Sequence, residues 1–330
     1  FIFHKTYNNN IMKNIYLNIF SFNKKTLTKS VISLKKGNVI GLPTETVYGL
    51  AGSAYSKKAI NKIFNLKKRP KLNPLIVHYI NLKTVKKDVF LNESFYKLYK
   101  KFCPGPITFV LKKRKKSKIQ SSATAKLNSV AVRFPNHKII KLILKKIDFP
   151  LAMPSANLSS KISPVSARNV ADDFKNDLRM IIDGGKSRIG IESTVIDLTG
   201  KPKVLRPGII SPKVISKVLS TNVNIIKKKL GLKSPGMLKR HYSPGIPMKL
   251  NQVSYNKNFA TITFGKRYKS YKNFFNLSKT SNLKEAASNL YSTLRKIKKL
   301  NYKKIYVVRI PNKGIGIAIN DRLERASKYK

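Results

Sequence analysis

Two polar segments near the start of the chain have residue types that suit a small polar ligand bound beside a polyphosphate. Residues 41–50 read Gly-Leu-Pro-Thr-Glu-Thr-Val-Tyr-Gly-Leu and place threonine hydroxyls and one carboxylate in a turn. Residues 67–78 read Lys-Lys-Arg-Pro-Lys-Leu-Asn-Pro-Leu-Ile-Val-His and begin with a dense cluster of cations. Cations bind phosphate through charge-assisted hydrogen bonds, so we expect the two segments to form two sides of one pocket.

Polar side chains also occur in pairs at spacings that put both members on one side of an extended chain. Residues two or four apart in a strand share a face, so each pair can approach the same ligand. A lysine with an arginine suits an anion, whereas serine with asparagine is also common in turns. The pairs are Lys67 with Arg69, Ser129 with Arg133, and Ser155 with Asn157.

Several familiar catalytic motifs are excluded by single residues. Gly184–Ser187 ends like a phosphate-binding loop, but that motif requires glycine where the chain has Met180. Gly314–Gly316 lacks the third glycine of a dinucleotide-binding fingerprint. The four histidines are not at zinc-ligand spacing and a single cysteine cannot complete a site. We therefore expect no metal bound directly by the protein.

Length and composition are those of a folded protein with a sizeable core. The chain has 330 residues, of which 42% are hydrophobic, which predicts one large domain or two domains. One cysteine, Cys103, excludes an internal disulfide and favours a reducing compartment. No apolar run approaches the ~20 residues that cross a bilayer. We expect a soluble, cytoplasmic protein with no membrane partner.

The formal net charge of +56 is the most unusual bulk property of the chain. A strongly basic protein can bind nucleic acid, but the excess here is mostly lysine spread along the whole sequence. Sites that bind phosphate with two parallel hydrogen bonds favour arginine. We therefore interpret the lysines mainly as a compositional bias and expect at most a weak affinity for RNA or tRNA.

Short β-rich runs alternate with helical stretches from residue 38 to about residue 212, which predicts an α/β domain. A segment with three prolines and two glycines, residues 233–247, interrupts regular structure and predicts a linker. Beyond it, two strands and two helices predict a small second α/β unit. The predicted strands are 39–42, 75–79, 108–111, 130–134, 151–153, 180–183, 194–198, 204–206, 260–264 and 305–310.

Seven motifs occur in an order that resembles the YrdC-like family, and in particular its long, two-domain branch. They are Pro-Thr-Glu-Thr-Val-Tyr-Gly-Leu, Lys-X-Arg-Pro, Asn-Pro-Leu-Ile-Val-His, Val-Ala-Val-Arg, Pro-Ser-Ala-Asn-Leu-Ser, Glu-Ser-Thr-Val and Leu-Arg-Pro-Gly. His241–Gly245 and Asn320–Leu323 are typical of the long form. The resemblance covers about residues 24–330. It implies an N-terminal extension (1–23), a catalytic domain with a twisted mixed sheet and a concave basic face (24–212), a linker region (213–248) and a small Rossmann-like α/β domain (249–330).

The resemblance implies that the chain makes L-threonylcarbamoyl-AMP from L-threonine, bicarbonate or CO2, and ATP, and releases pyrophosphate. Mg²⁺ would enter bound to ATP, and a downstream transferase would use the product to modify tRNA. Lys67 and Arg69 would form a catalytic anion clamp. The residues implied for threonine are Thr46, His78, Arg133, Ser155 and Ser193. Those implied for ATP are Arg69, Asn73, Ser129, Asn157, Ser163, Arg206 and Tyr242.

Two positions depart from the family pattern, and two other functions stay open. Lys68 stands where the family usually has glycine, and Val165 where it usually has threonine, so we expect Ser163 or a backbone group to replace that contact. The first alternative is a module that binds double-stranded RNA or tRNA without catalysis. The second is a carbamoyl-transfer domain of a larger enzyme, which the lack of zinc-finger cysteines disfavours.

Overall fold

The structure is a computed structural model that describes residues 16–226, 241–268 and 270–328, and these residues form two β-sheets. The strands of the first sheet are β1 (Ile19–Ser21), β2 (Ile40–Leu42), β3 (Gly49–Ser53), β4 (Ile76–His78), β5 (Ile107–Lys112), β6 (Ser129–Arg133), β7 (Leu151–Ala152), β8 (Ile181–Asp183), β9 (Thr194–Asp197) and β10 (Lys203–Arg206). Those of the second sheet are β11 (Met248–Leu250), β12 (Phe259–Thr263), β13 (Phe274–Asn276) and β14 (Lys304–Val307).

Helices pack around both sheets. They are α1 (Lys24–Lys35), α2 (Lys57–Lys67), α3 (Leu82–Val85), α4 (Glu93–Phe102), α5 (Lys138–Lys145), α6 (Ala167–Phe174), α7 (Pro212–Leu219), α8 (Leu283–Lys299) and α9 (Gly316–Ser327), with short 3-10 turns at Ser121–Thr124 and Lys175–Asp177. In the part of the chain that the structure describes, none of the helices is long and apolar enough to span a membrane.

The strand order confirms the predicted α/β fold. The first sheet has ten strands in the order β1-β8-β2-β3-β7-β4-β6-β5-β9-β10 and mixes parallel with antiparallel pairs. The second has four strands in the order β11-β14-β12-β13, and all of its pairs are parallel. A wholly parallel sheet is covered by helices, which is why α8 and α9 carry continuous apolar faces.

The register of the central strands brings four predicted or adjacent site positions to one edge of the large sheet. β4 and β6 are parallel, and His78 at the end of β4 pairs with Arg133 at the end of β6. β5 is antiparallel to β6, so Thr108 near its start also pairs with Arg133. β5 runs parallel to β9, and Ile107 pairs with Thr194. The ends of β4 and β6 and the starts of β5 and β9 therefore meet at the same place.

The end of α2 explains one departure from the family pattern. Helix α2 ends at Lys67, and Lys68 adopts the left-handed conformation with φ 48° and ψ 46°. Its N–H donates to the carbonyls of Phe64 and Asn65, which closes the helix. Glycine is the residue that tolerates this conformation best. A lysine there costs about 1 kcal/mol in backbone strain but leaves the turn intact.

Two predicted boundaries need correction. Residues 19–21, assigned to an N-terminal extension, form β1 and pair in parallel with β8. Residues 212–219, assigned mostly to the linker, form α7, which packs against α4 of the first unit. Both elements are short, with three and eight residues, so their apolar pattern was weak in the sequence. Residues 227–240 of the predicted linker lie outside the described residues.

The two units share one hydrophobic core. Val47, Ile162 and Ile191 of the first unit are buried in the same cluster as Leu290 of α8 and Leu323 of α9. An ion pair adds to this contact, since Arg295 of α8 lies 2.7 Å from Asp173 at the end of α6. The second unit is therefore packed directly behind the segment that contains the polar turn at residues 44–46.

Gly190 is a point of closest approach between the units. It has φ +77°, and a Cβ at this position would lie 2.5 Å from Cα of Ser288 in α8. Gly185 has nearly the same φ, +76°, but a Cβ there would meet no atom within 4 Å.

We predict that Gly185→Ala lowers the free energy of unfolding only by the backbone term, about 1 kcal/mol. Gly190→Ala should lower it by a further ~1–3 kcal/mol because the interface is overpacked.

Urea unfolding of both alanine variants, followed by circular dichroism, measures this difference. The Gly185→Ala variant is the matched control because it has nearly the same backbone strain, but its added Cβ contacts no other atom. Equal midpoints for the two variants would show that the backbone of α8 does not constrain residue 190.

Candidate active site

A small polar cavity lies at the sheet edge where β4 and β6 end. Its volume is about 40 Å³, room for a few water molecules. The lining residues come from the turn after β2, from β4 and β6, from the end of β10, and from the segments that follow α2 and β7 and precede β9 and β11. Its polar lining residues are Thr44, Thr46, Arg69, His78, Arg133, Ser155, Glu192, Arg206 and His241.

The turn after β2 is held by its own threonines. Thr44 Oγ1 lies 2.9 Å from Thr46 Oγ1 and donates to the carbonyl of Val47 at 2.6 Å. It also accepts hydrogen bonds from the backbone N–H groups of Thr46 and Val47. Local side-chain bonds of this kind fix turns. The Thr46 hydroxyl is thus held at the cavity wall, and its contact with threonine stays a prediction.

Glu45 and Arg133 form a buried ion pair behind the cavity. Arg133 Nη2 lies 2.7 Å from Glu45 Oε1, and the two side chains are 5% and 3% exposed. Neither Arg133 Nε nor Glu45 Oε2 has a hydrogen-bond partner. A buried charge needs a partner of opposite sign, so Glu45 keeps Arg133 charged and oriented while leaving it a free donor. That is the geometry expected of an arginine that binds a carboxylate.

His78 is a neutral imidazole in the cavity wall. Burial and the nearby Arg133 cation hold its pKa well below the ordinary value of 6.5. Neither ring nitrogen has a hydrogen-bond partner, and the residue is 1% exposed. A neutral imidazole has one donor and one acceptor, so His78 can orient a hydroxyl or amine without adding charge.

The predicted clamp of Lys67 and Arg69 takes a different form from the one expected. Lys67 Nζ does not line the cavity and donates to the carbonyls of Ser155 at 2.6 Å and Asn157 at 2.5 Å. The alternation argument was wrong here because Lys67 is still helical and Lys68 is left-handed, so the chain is not extended. In this structure Lys67 holds the loop at residues 155–157 in place.

Arg69 does face the cavity and is held by backbone carbonyls. Its Nε donates to Asn73 at 3.1 Å and its Nη2 donates to Pro74 at 3.0 Å. Burial and repulsion from Arg206 lower the pKa of Arg69 to about 9. These two arginines raise each other's energy, and an anion between them would relieve the repulsion.

Arg206 is fixed to the start of β9. Its Nε donates to the Ser193 carbonyl and its Nη2 to the Ser193 hydroxyl, both at 3.2 Å. The same hydroxyl lies 2.7 Å from Thr108 Oγ1. Burial lowers the pKa of Arg206. Ser193 is thus placed beside the cavity, with its hydroxyl bound to two protein groups.

Three other predicted residues are buried beside the cavity. Asn73 is fully buried, and neither atom of its side-chain amide has a partner. Asn157 donates to the carbonyls of two neighbouring residues while its Oδ1 has no partner. Ser163 donates to Glu192 Oε1 at 2.5 Å. Val165 packs in the shared core, so its side chain faces away from the cavity.

The linker reaches the cavity through His241 and Tyr242. His241 lines the cavity, and its ring lies 4.1 Å from that of Tyr242. Tyr242 is fully buried, stacks 5.6 Å from Tyr291 of α8, and has a hydroxyl without a partner. Tyr242 therefore contacts the second unit, while His241 occupies space between the cations of the first.

Ser129 is not brought to this cavity. It begins β6, and four residues at ~3.3 Å each separate it from Arg133. It lines a larger groove of about 1010 Å³ at the other end of the strand. The predicted role of Ser129 in ATP binding stays a prediction. The basic side chains of this groove are Lys86, Lys87, Lys112, Lys113, Arg114, Lys115 and Lys116.

In the sequence Glu192 appears only as part of the Glu-Ser-Thr-Val motif, and the structure shows it in contact with both units. It lines the cavity and receives bonds from Ser163, Tyr291 and Arg322. Arg322 belongs to α9 and was noted in the sequence only as part of a motif typical of the long form. That motif was the signal available, but its contact with Glu192 spans 130 residues.

Within the described residues, no group of three or more histidine, cysteine or acidic residues is arranged to hold a metal ion. The carboxylate at the cavity wall, Glu192, is already bonded to Arg322, Tyr291 and Ser163. A metal that entered here would need ligands from a substrate.

This fold places buried arginines and neutral polar side chains around one cavity, an arrangement that suits an enzyme with a small polar substrate. The family model described as "Telomere recombination", which covers Sua5, YciO and YrdC proteins, matches residues 33–208. The model for the C-terminal domain of threonylcarbamoyl-AMP synthase matches residues 210–328. The chain belongs to the threonylcarbamoyl-AMP synthase family, whose members are enzymes of the nucleotidyltransferase kind.

Two relatives and one solved structure support this assignment along almost the whole chain. A threonylcarbamoyl-AMP synthase of Pyrococcus abyssi is 36% identical over 90% of this chain and 92% of its own length. One of Bacillus subtilis is 32% identical over 93% of this chain and 94% of its own. The crystal structure of P. abyssi Sua5 complexed with L-threonine superposes with a TM-score of 0.86 at 33% identity, and covers 94% of this chain and 98% of that one.

The neutral state of His241 predicts an acid-sensitive fold. Burial and the cations of Arg69, Lys67 and Arg206 lower the pKa of His241 to about 3, against the opposing effect of Glu192. The unfolded chain protonates histidine near pH 6.5. The unfolded state therefore binds more protons between pH 6.5 and 3, and stability falls as pH falls through that range.

At pH 4.5 this effect amounts to about 3 kcal/mol relative to pH 7.5 for one such histidine. We predict that His241→Gln removes about that much of the pH dependence of the free energy of unfolding, measured with urea at both pH values. His78 contributes equally to both proteins and cancels. An unchanged difference between pH 7.5 and 4.5 in the variant would contradict the low pKa of His241.

Proposed function

We propose that this protein makes L-threonylcarbamoyl-AMP from L-threonine, bicarbonate or CO2, and ATP, and releases pyrophosphate. One observation carries the proposal. Buried polar groups almost always have hydrogen-bond partners, yet Asn73, His78, Arg133 and Asn157 each keep an unpartnered buried atom. His78 and Arg133 line one cavity, so a polar ligand that binds there would supply partners for both. Asn73 and Asn157 are close to its lining, because the Asn73 carbonyl accepts a hydrogen bond from Arg69 and Asn157 is two residues from Ser155.

The side of the cavity formed by β4, β6 and the turn after β2 fits an amino acid. Arg133, held by Glu45, would bind the carboxylate of threonine. Thr46, His78 and Ser155 present neutral polar groups that would bind its amine and hydroxyl. The P. abyssi protein named above was crystallised with L-threonine, which supports this half of the proposal.

The opposite side fits the phosphates of ATP. Arg206 lies close enough to Arg69 to add to the effect of burial in lowering the pKa of Arg69, and both side chains are buried. Bringing a polyphosphate between them replaces repulsion with charge-assisted hydrogen bonds. Pockets for ligands of this size measure roughly 300–1,000 Å³, so the cavity of about 40 Å³ must widen when ATP enters.

The reaction needs positioning and charge neutralisation more than a covalent intermediate. The amine of threonine forms a C–N bond to CO2 and loses a proton to give a carbamate. An oxygen of the carbamate attacks the α-phosphorus of ATP, the bond to the β-phosphate oxygen breaks, and pyrophosphate leaves. Arg69 and Arg206 would stabilise the charge that develops on the phosphates.

Mg²⁺ bound to the triphosphate would neutralise further phosphate charge. The residues present fit a metal that arrives with ATP, because Glu192 is bonded to Arg322 and, among the residues that the structure describes, no protein ligand set is arranged for a metal. A transferase that moves the threonylcarbamoyl group to tRNA would consume the product. We place this activity in the cytoplasm, in keeping with the single cysteine.

The direct test supplies threonine, labelled bicarbonate, Mg²⁺ and ATP, and measures a labelled adenylate by chromatography.

We predict that Arg69→Ala lowers kcat/KM for this reaction about 100-fold, as expected for loss of a group that stabilises transition-state charge. Arg309→Ala, an exposed arginine of the second unit, is the matched control and should leave kcat/KM unchanged. Folded wild-type protein that forms no labelled adenylate would refute the proposed reaction.

A weak affinity for RNA is a second candidate property, and the groove that contains Ser129 favours it. The groove is lined by seven cations, and Phe90 at its wall is 50% exposed with the Arg114 guanidinium 4.3 Å above its ring. Aromatic rings beside cations suit single-stranded bases and phosphates.

We predict micromolar or weaker tRNA binding whose affinity falls steeply with salt. Fluorescence anisotropy with labelled tRNA at 50 and 200 mM KCl measures it. Replacing Lys115 and Lys116 with alanine should weaken binding and reduce the salt dependence, without changing adenylate formation. Binding that is equally tight in the variant would place the RNA elsewhere.

A further inference from the structure

Arg322 is a charged residue of the second unit whose side chain is buried against the active site. It lies in α9 and is 1% exposed. Four arginines are buried among the residues that the structure describes; Arg69, Arg133 and Arg206 line the cavity, and Arg322 is the fourth. The chain has thirteen arginines and 56 lysines. Arginine is thus the rarer cation in this protein, and Arg322 is one of the few positions that has it.

The contacts of Arg322 join three parts of the molecule. Its Nε lies 3.1 Å from Glu192 Oε2 in the first unit. Its Nη1 donates to the carbonyl of Pro207 at 2.7 Å and lies 2.8 Å from its neighbour Asp321. Its guanidinium carbon lies 5.4 Å from the ring centre of Tyr242 in the linker. Nε and Nη1 of Arg322 are therefore both bound to protein groups, while its buried Nη2 has no hydrogen-bond partner.

Glu192 depends on this contact for its charge. Burial by itself would raise the pKa of Glu192, but Arg322, then Arg206 and the Ser163 hydroxyl, lower it to about 2. Tyr291 adds a hydrogen bond at 2.9 Å. Glu192 is thus an ionised carboxylate in the wall of a cavity that must accept the anionic phosphates of ATP.

An ionised carboxylate at this place would compete with phosphate for the cavity arginines. Arg206 is bonded to Ser193, the residue after Glu192, and its charge already acts on Glu192. If Arg322 were absent, Glu192 would be a buried charge without its main partner, and such charges pair with the nearest cation available. Of the arginines that line the cavity, Arg206 is the one whose charge acts on Glu192.

We propose that Arg322 is a positioning residue of the active site: by binding Glu192 it keeps Arg206 free for the phosphates of ATP. This inference rests on the proposed function and gives the second unit a role in catalysis. Arg322 touches no reacting atom. The site is completed by a side chain that the second unit contributes through the shared interface.

The test compares Arg322→Met, Arg322→Lys, Glu192→Gln and the double variant R322M/E192Q by steady-state kinetics of adenylate formation. We expect Arg322→Met to raise KM for ATP at least tenfold, with a smaller change in KM for threonine. The double variant should bring KM for ATP back to within about threefold of wild type, because a neutral glutamine does not compete for Arg206. Arg322→Lys, which keeps the charge, should lie between.

Arg295→Met is the matched control. Arg295 also joins the units, through Asp173 at 2.7 Å and the carbonyl of Ile162 at 2.6 Å, but it does not contact Glu192. If Arg322 served only to dock the second unit, both variants would raise KM for ATP alike and Glu192→Gln would restore nothing. We expect Arg295→Met to lower the melting temperature and leave KM for ATP unchanged.

The pH dependence of KM for ATP provides a further test, because it would not change in Arg322→Met if Arg322 only docked the second unit. The charged and titratable groups around Glu192 are Arg322, Arg206, His241, Tyr242 and Tyr291. The two tyrosines have raised pKa values and His241 has one of about 3, so none of them titrates between pH 5 and 7.5. Without Arg322, burial raises the pKa of Glu192. In Arg322→Met, KM for ATP should therefore fall as the pH is lowered from 7.5 to 5, and in wild type it should not.

Each outcome decides the matter. A wild-type KM for ATP in Arg322→Met, no restoration in the double variant, or equal effects of Arg322→Met and Arg295→Met overturns the inference. If Arg322→Met does not fold, the double variant and Arg322→Lys carry the test, and a KM for ATP more than tenfold above wild type in both overturns it. Absence of adenylate formation by the wild type would instead refute the proposed function.

Discussion

The structure depends on the burial of arginine charges around a single cavity and on the groups that compensate them. Arg133 is paired with Glu45, Arg322 with Glu192, and Arg69 with two backbone carbonyls. A buried cation without such partners would be very unfavourable. Each compensating group is also part of a turn or strand end at the cavity, so the charges that serve ligand binding also hold the backbone.

Compensation is incomplete on the side where substrates would bind. Asn73, His78, Arg133 and Asn157 keep unpartnered atoms, and Arg69 and Arg206 repel each other. Stability is therefore given up at one place in an otherwise well-packed molecule. Such sites are typical of function, because a ligand supplies the bonds that the protein omits. The second unit limits the penalty by burying Glu192 together with its own arginine.

Much of the fold and part of the site could be predicted from the sequence. The apolar stripe of α8 and the runs around residues 75–79 and 130–134 were visible because their periods match helix and strand. β1, β3, β11 and β13 were missed, since they are short or, like Gly49–Ser53, rich in small residues that carry no β signal. Lys67 was placed in the cavity wrongly because the left-handed Lys68 breaks the alternation on which the argument relied.

The sequence by itself determined the family, the two α/β units and the identity of the polar residues, because motif order and local periodicity are properties of the chain. Tertiary structure alone decided which of those residues share a cavity. Register set His78 beside Arg133 and left Ser129 at the far end of the same strand. Tertiary structure also decided that the charge of Arg322 compensates that of Glu192. Electrostatic pairing depends on distance in space, and these residues are 130 positions apart in the sequence.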